Sequence, residues 1–466
     1  MHLPYPKAVI TSVIFGALTL GTAQAQQWNA LGQPGFSAGE AYAPIMALNA
    51  AGTPYVAYED FSNAGKATVM TYGGTSWAPV GSPGITTNAA EFISIAISRY
   101  CVPYMVYTDE GASNTTSVMA YNGAWAPVGP QYITGPQTTY NDIAIDTFGT
   151  PYIVYVDGTD YFKATVKKFV DTASAWFTVG SADFTPGQAS YCKLAISRGG
   201  TPYVAFEDAD SNHRASVMAF DGLNWNFVGA QGFSEGRATY TDIVMDTNDV
   251  PYIVYADAGN GGKATVMKFN GTSWVAVGAQ GFSDTHVQYT SIAIGANNLP
   301  YVAFSDGGTT AQGGPATVMQ FDGATWSIMC APGISAGIAG YTTVGVARQA
   351  GMVYVSYMDV ADSSRATVMA NNGVTPCYAA SVATVAAGAA MSIYPNPAYD
   401  ELNVVSAAEA IHDVKITNLL GQTVCSLQPN AMTAKVPVGN LPNGVYFIQV
   451  NSTDPGAGTI MKFVKE

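Results

Sequence analysis

The chain has 466 residues, enough for two or three domains. Charged residues make up 11% of it, against about 25% in ordinary globular proteins, and aromatic residues are plentiful, which excludes a disordered chain and a coiled coil. The formal charge of −14 leaves no basic footprint for a nucleic-acid partner or an anionic membrane surface. At the start, Lys7 precedes an apolar run from Ala8 to about Leu20, and Ala23-Gln24-Ala25 is a small-x-small cleavage site. Residues 1–25 therefore read as a secretory signal peptide. The run is too short for a membrane anchor, and no run of about 18 apolar residues follows, so no transmembrane segment is expected.

The middle of the chain is one unit repeated. All seven Trp share a frame: Trp28, Trp77, Trp125, Trp176, Trp225, Trp274 and Trp326, spaced 48 to 52 residues apart. Five are followed by x-x-Val-Gly, as in Trp77-Ala78-Pro79-Val80-Gly81. Each unit holds four short β runs separated by turn signals, with no helical spacing of apolar residues. The third unit shows them as Tyr140 to Ile145, Pro151 to Asp157, Lys163 to Phe169 and Trp176 to Gly180. Four strands in about 49 residues is the arithmetic of a propeller blade. The phase of the repeat is informative. The array enters at Trp28 with a fourth-type strand and ends near Met369 with a third-type strand. Residues 26–373 are expected to form an all-β, seven-bladed β-propeller, its ring closed by Trp28–Gly32 as the fourth strand of the last blade. That pairing would remove two free sheet edges.

Two repeated positions are candidates for chemistry. An aromatic opens the first strand of every unit: Tyr42, Phe92, Tyr140, Tyr191, Tyr240, Tyr289 and Tyr341. Two residues on, polar groups follow in most units, among them Asp142, Lys193 and Asp242. Alternation would put both sets near the mouth of the central channel. Aromatic faces that stack beside polar edges that orient suit a carbohydrate or a peptide. The simpler reading is that these Tyr pack one blade on the next. Asp ends every second strand, and in five units a base follows six residues later, as in Asp60 and Lys66. That spacing predicts an opposite-charge pair across a hairpin; where the base is missing, at Thr115 and Pro315, the Asp can still bond the turn amides. Asp208-Ala209-Asp210-Ser211-Asn212 begins like a calcium loop but has His213 where Gly belongs and no distal Glu. Calcium at Asp208, Asp210 and Asn212 is thus a candidate, and no other cofactor is indicated. The five Cys show no metal spacing and read as buried or isolated thiols. No triad, phosphate loop or His-Glu-x-x-His stands out, so no catalytic residue is assigned.

An Ala-rich linker over 374–390 leads to the last 76 positions, 391–466. These carry Tyr394-Pro395-Asn396-Pro397, the strand-like Glu401-Leu402-Asn403-Val404-Val405, Val414-Lys415-Ile416-Thr417-Asn418, Gly421-Gln422-Thr423-Val424, Leu441-Pro442-Asn443-Gly444-Val445-Tyr446 and the closing Met461-Lys462-Phe463-Val464-Lys465. The segment resembles the C-terminal sorting domain of the type IX secretion system of Bacteroidetes. That resemblance implies a small β-sandwich, the type IX machinery as a partner, and a product that is secreted or held at the outer cell surface. Short alternating runs between Gly, Pro and Asn turns agree with such a module. The expectation for the whole chain is an exported propeller that binds a glycan or protein ligand through its loop face. A polysaccharide hydrolase or lyase with a site at the channel mouth, and a structural surface protein, stay open beside it.

Overall fold

Each repeat makes one antiparallel sheet, and the third is representative. Thr138–Ile145 pairs with Pro151–Asp157, which pairs with Lys163–Val170, which pairs with Ala175–Thr178. The second strand is buried on both faces, with Ile153, Val154, Tyr155 and Val156 all nearly inaccessible, so it reads as a continuous apolar run rather than an alternating one. Pro151 sits at the strand's first position, where its missing N–H costs no ladder bond. The computed structural model describes residues 28–307, 313–371, 391–406, 410–418, 423–452 and 458–466. The signal peptide and the linker expected at 374–390 lie outside them. Among the described residues there are seven four-stranded blade sheets and no α-helix.

The seventh sheet takes its fourth strand from the start of the array. Asn29–Ala30 pairs antiparallel with Arg365–Asn371, in the register Asn29 to Ala370 and Ala30 to Met369. The Leu31 amide extends the pairing by donating to the Val368 carbonyl at 2.8 Å. Ala41, Met46, Val56 and Tyr58 of the first sheet share one core with Ala347, Tyr354, Ala366 and Val368 of the seventh.

The recurring Trp explains how neighbouring sheets are held. Each indole Nε1 donates to a backbone carbonyl of the preceding blade, three residues on from that blade's own Trp. Trp125 reaches Val80 at 2.6 Å, Trp225 reaches Val179 at 2.8 Å and Trp274 reaches Val228 at 2.6 Å. The series includes the chain's start: Trp28 donates to Met329 at 2.9 Å and Trp77 to Leu31 at 2.6 Å. The Gly after each acceptor turns the chain in the left-handed region. A Cβ on Gly81, at φ +81, would lie 3.1 Å from Trp125 Cδ1. Cys330 occupies the same place at φ +76. It is disulfide-bonded, so it is not the isolated thiol expected from the sequence.

The Asp that ends each second strand does not form the expected ion pair, although Asp60 and Lys66 are register partners. Asp60 is buried and caps the single 3-10 turn Phe61–Asn63. Its carboxylate accepts from the Ser62 amide at 3.0 Å, from Asn63 Nδ2 at 2.8 Å and from Thr68 Oγ1 at 2.8 Å. Turn donors within two or three residues saturate the carboxylate before the longer base can reach it.

The C-terminal unit is built from two sheets. Met391–Tyr394, Glu401–Ser406 and Thr433–Pro437 form one; Thr423–Leu427, Ile411–Thr417, Gly444–Ser452 and Gly458–Lys465 form the other. Leu402, Val404, Val436, Val414, Ile416, Ile448 and Phe463 fill the space between as one core. Alternation along Glu401–Ser406, with Leu402, Val404 and Ser406 inside, is the pattern of a half-buried strand.

Candidate functional site

The site begins with a defect repeated in every blade. In the third blade Thr139 pairs with Val156 and Asp142 with Val154, so Tyr140 and Asn141 together oppose a single residue. This is a β-bulge, and the same shift occurs at the same place in all seven first strands. The first bulged residue is left-handed: Phe92, Tyr140, Tyr191, Tyr240, Tyr289 and Tyr341 have φ between +47 and +54. Bulky residues rarely adopt this conformation, which costs roughly 1–2 kcal/mol each. The bulge turns the aromatic rings toward the axis.

The rings meet at tilted angles around that axis, with Tyr42 edge-on to Tyr341. Centroid separations are 5.7 Å from Phe92 to Tyr140, 5.5 Å on to Tyr191, 5.1 Å on to Tyr240, 5.0 Å on to Tyr289 and 4.6 Å on to Tyr341. Tyr42 continues the series, 4.8 Å from Tyr341. Here the sequence alignment needs a correction. Ala41 pairs with Asp60 as Ala90 pairs with Asp109, so Ala43, at φ +47, occupies the bulge position in the first blade. Tyr42 stands one residue earlier and still brings its ring to the rim. A cavity of about 270 Å³ opens within the rim, lined by Phe92, by the five Tyr from Tyr140 to Tyr341 and by Lys193, with Ala43 rather than Tyr42 lining it from the first blade. Tyr42 and Phe92 are the most exposed rings of the rim, at 41% and 36%. Burial, followed by the neighbouring phenols of Tyr240 and Tyr140, pushes the Tyr191 hydroxyl up to about 12. Burial and the adjacent hydroxyls of Tyr42 and Tyr289 raise Tyr341 further. These two phenols therefore stay neutral and able to donate hydrogen bonds across the physiological range.

The polar positions two residues on are used mainly between blades. Asp142 Oδ2 accepts from the Leu194 amide at 2.9 Å, and Oδ1 from Ser94 Oγ at 2.7 Å. Asp242 Oδ2 accepts from the Ile292 amide and from Ser291 Oγ, both at 3.0 Å. Neither Asp lines the cavity, whereas Lys193 does. Lys193 Nζ stands 3.5 Å from Asp142 Oδ1. Burial alone would lower its pKa, but Asp142 and Asp242 together hold it above the ordinary lysine value. Burial raises Asp242, and Lys193 opposes that shift. Thr hydroxyls at the second bulge position complete the seams: Thr241 Oγ1 donates to the Tyr191 carbonyl at 2.5 Å, and Thr290 donates to the Tyr240 carbonyl.

Sequence reasoning missed the carboxylates that flank the rim. Glu59 and Glu207 occupy equivalent places, next to last in the second strands of the first and fourth blades. Both are buried, and they differ in company. Glu207 Oε1 accepts from His213 Nδ1 at 2.6 Å and from Arg237 Nη2 at 3.1 Å. Glu59 faces Glu40, Glu91 and Glu110 instead. Burial first, then those three carboxylates, pushes its pKa up to about 7. Burial and Glu110 also raise Glu91. The available signal was a departure from the repeat: the same place holds Thr108, Val156, Ala256, Ser305 and Met358 in the other blades.

Asp208, Asp210 and Asn212 lie at the outer hairpin of the fourth blade. Asp208 is fully buried, and its carboxylate accepts from the Asp210 amide at 3.1 Å, Ser216 Oγ at 2.9 Å and Gln231 Nε2 at 2.9 Å. Asn212 is the left-handed cap of the 3-10 turn. Among the described residues no group of three or more His, Cys, Asp or Glu side chains is placed to hold a metal ion.

Comparison with known families gives a match at the C-terminal unit, where the secretion system C-terminal sorting family covers residues 392–466. Those residues are a type IX sorting domain. A chain bearing this sorting domain is addressed to the cell surface or secreted, and the export machinery is its partner there. No helix among the described residues is long and apolar enough to cross a membrane. None of the curated proteins matches the chain. Among solved structures, PorZ, a surface component of the type IX secretion system of Porphyromonas gingivalis, is similar at 15% identity with TM-score 0.49. That match covers 94% of this chain and 60% of PorZ, so the chain spans less than two thirds of PorZ's length. A PL25 ulvan lyase is similar at 11% identity and TM-score 0.47, over 74% of this chain and 95% of the lyase. The Aleuria aurantia lectin is similar at 15% identity and TM-score 0.42, over 64% and 96% respectively. Likeness at this level carries no functional weight.

Proposed function

We propose that this exported protein is a binding protein that captures a ligand at the aromatic-rimmed mouth of its repeat array. The observation that carries the reading is the unbroken series of ring contacts from Phe92 round to Tyr42 above a cavity of about 270 Å³. Holding bulky residues in a left-handed bulge is costly, and inter-blade packing alone could be met by a regular strand. Partly exposed phenols offer apolar faces for stacking and hydroxyl edges for orientation, which suits a sugar ring or a flat or cationic side chain. A glycan array and an array of short peptides, read with the full mature chain, test the proposal. Tyr191→Ala and Tyr240→Ala should each abolish the strongest signal, while Phe148→Ala, at an exposed turn between first and second strands, should leave it unchanged. Equal binding by all three variants would end the proposal.

A second reading, a polysaccharide-cleaving enzyme, is favoured by one observation. A carboxyl that titrates near 7, as Glu59 does, has the value that suits a general acid at neutral pH. New reducing ends or unsaturated products from a polysaccharide panel, lost in Glu59→Gln, would move the protein to that class.

A further inference from the structure

The charges around the mouth are unevenly distributed. On the fourth and fifth blades Oε1 of the buried Glu207 is paired with Arg237 and hydrogen-bonded to His213, while its Oε2 has no partner. On the first and second blades Glu40, Glu59, Glu91 and Glu110 stand together. Glu59 is 8% exposed, and no hydrogen bond or ion pair to its carboxylate is made among the described residues. Neither Glu59 oxygen is fully closed off from solvent, so a largely buried side chain presents its carboxylate, with only other acids near it, to an arriving cation. Tyr42 is the register partner of Glu59 across the two strands, so both side chains emerge on the same side of the sheet. The acidic flank thus adjoins an exposed aromatic face of the rim. An aromatic face beside carboxylates is the arrangement that holds an ammonium or guanidinium group.

What kind of cation fits follows from geometry and charge. The acids do not converge on one ion-sized point, since no three of them are placed to ligate a metal. They spread over two blades, from Glu40 before the first strand of the first blade to Glu110 after the second strand of the second. A row of this kind matches several charges carried along an extended chain. Lysine and arginine stay charged over the range in which Glu59 ionises, whereas an amine on a sugar ring would lose its charge as Glu59 gains its own. The chain's net charge of −14 adds long-range attraction for a basic partner.

We infer that the mouth docks a basic segment of a protein partner, its lysine or arginine side chains lying on the Glu40, Glu59, Glu91 and Glu110 flank and against Tyr42. The inference rests on the mouth being the ligand site and names the ligand's chemistry.

The test uses the full mature chain and three labelled probes: a short peptide of alternating lysine and glycine, its glutamate counterpart, and a glucosamine oligomer. Binding is read by fluorescence anisotropy. The lysine peptide should bind and the glutamate peptide should not. Glu59→Gln should weaken the lysine peptide about tenfold or more. The double variant of the exposed residues, Glu91→Gln with Glu110→Gln, should weaken it as well, which keeps the test alive if Glu59→Gln folds poorly. Affinity in the wild type should rise between about pH 6 and pH 8, as Glu59, faced by Glu40, Glu91 and Glu110, gives up its proton. This rise should be absent in Glu59→Gln. Equal binding by wild type and both acidic-flank variants overturns the inference. If a neutral glycan binds in a Tyr240-dependent way and the lysine peptide does not bind, the inference falls and the mouth stands. Glu59-dependent binding of the glucosamine oligomer alone would overturn the protein partner in favour of an amine-bearing glycan. If Tyr240→Ala changes no binding at all, the mouth itself falls.

Discussion

The outer seams and the inner mouth of the repeat array are built from the same number of copies and follow opposite rules. At the outer seams every blade has Trp, every indole reaches back to the preceding blade, and the ring in front is in several blades a stacked Phe, as Phe184 is on Trp225 at 4.1 Å. At the mouth the backbone is just as regular, with a bulge in every first strand, but the side chains around it vary from blade to blade. Glu59 has only acids for company while Glu207, at the equivalent place, has Arg237 and His213. Sameness repeated around an axis serves assembly. Variation on a constant frame is where a particular ligand can be specified.

This contrast can be broken or sharpened by experiment. The largest effect is expected at the outer seams. Trp225→Ala removes a buried indole, its stack on Phe184 and its bond to Val179, and should cost about 3–5 kcal/mol in thermal or denaturant unfolding. Its ligand affinity, measured on the folded fraction, should be unchanged; a loss of affinity would blur the line between seams and mouth. Next comes Glu59→Gln. The folded carboxyl keeps its proton up to about 7, while the unfolded chain releases it near the ordinary 4.5. The folded state therefore binds the extra proton in that window, and native stability falls as pH rises through it. Glu59→Gln should be more stable than wild type by roughly 1–3 kcal/mol at pH 8 and no more stable below about pH 4.5. Urea titrations at the two pH values decide this, and a gain that persists in acid would mean that charge is not the cause.

A smaller effect isolates the strained backbone. Tyr240 lies at φ +54, so Tyr240→Gly should be more stable than Tyr240→Ala by about 1 kcal/mol, although both lose the ring and with it the ligand. Equal stability would show that the bulge relaxes once the ring is gone. The least expected change is in Thr290→Val, which removes one hydroxyl bond to the Tyr240 carbonyl and should cost about 1 kcal/mol or less.

Much of the scaffold is legible in the sequence. The Trp frame, the four runs per unit and the unfinished phase at both ends of the array required only counting, because each strand is short, local and punctuated. The sorting domain was recognisable from its ordered motifs. The mouth was less legible, for a physical reason. A bulge adds a residue without changing the apolar pattern, so Tyr42 looked equivalent to Tyr140 and proves to stand one place early. Asp60 and Lys66 were correctly seen to face each other, but the competition from turn amides is invisible in spacing. Glu59 and Glu207 escaped because a search for repeats rewards agreement, and they matter by disagreeing.

The strand Asn29–Ala30 has a consequence in time. Trp28 bonds to a residue 301 positions later, so the first strand of the array waits for its neighbour until almost the whole array has followed. A message cut short, or a protease acting within the repeats, would leave both that segment and the last sheet with bare hydrogen-bonding edges, open to pairing with another copy. Delivering the array whole is thus a condition of delivering it soluble.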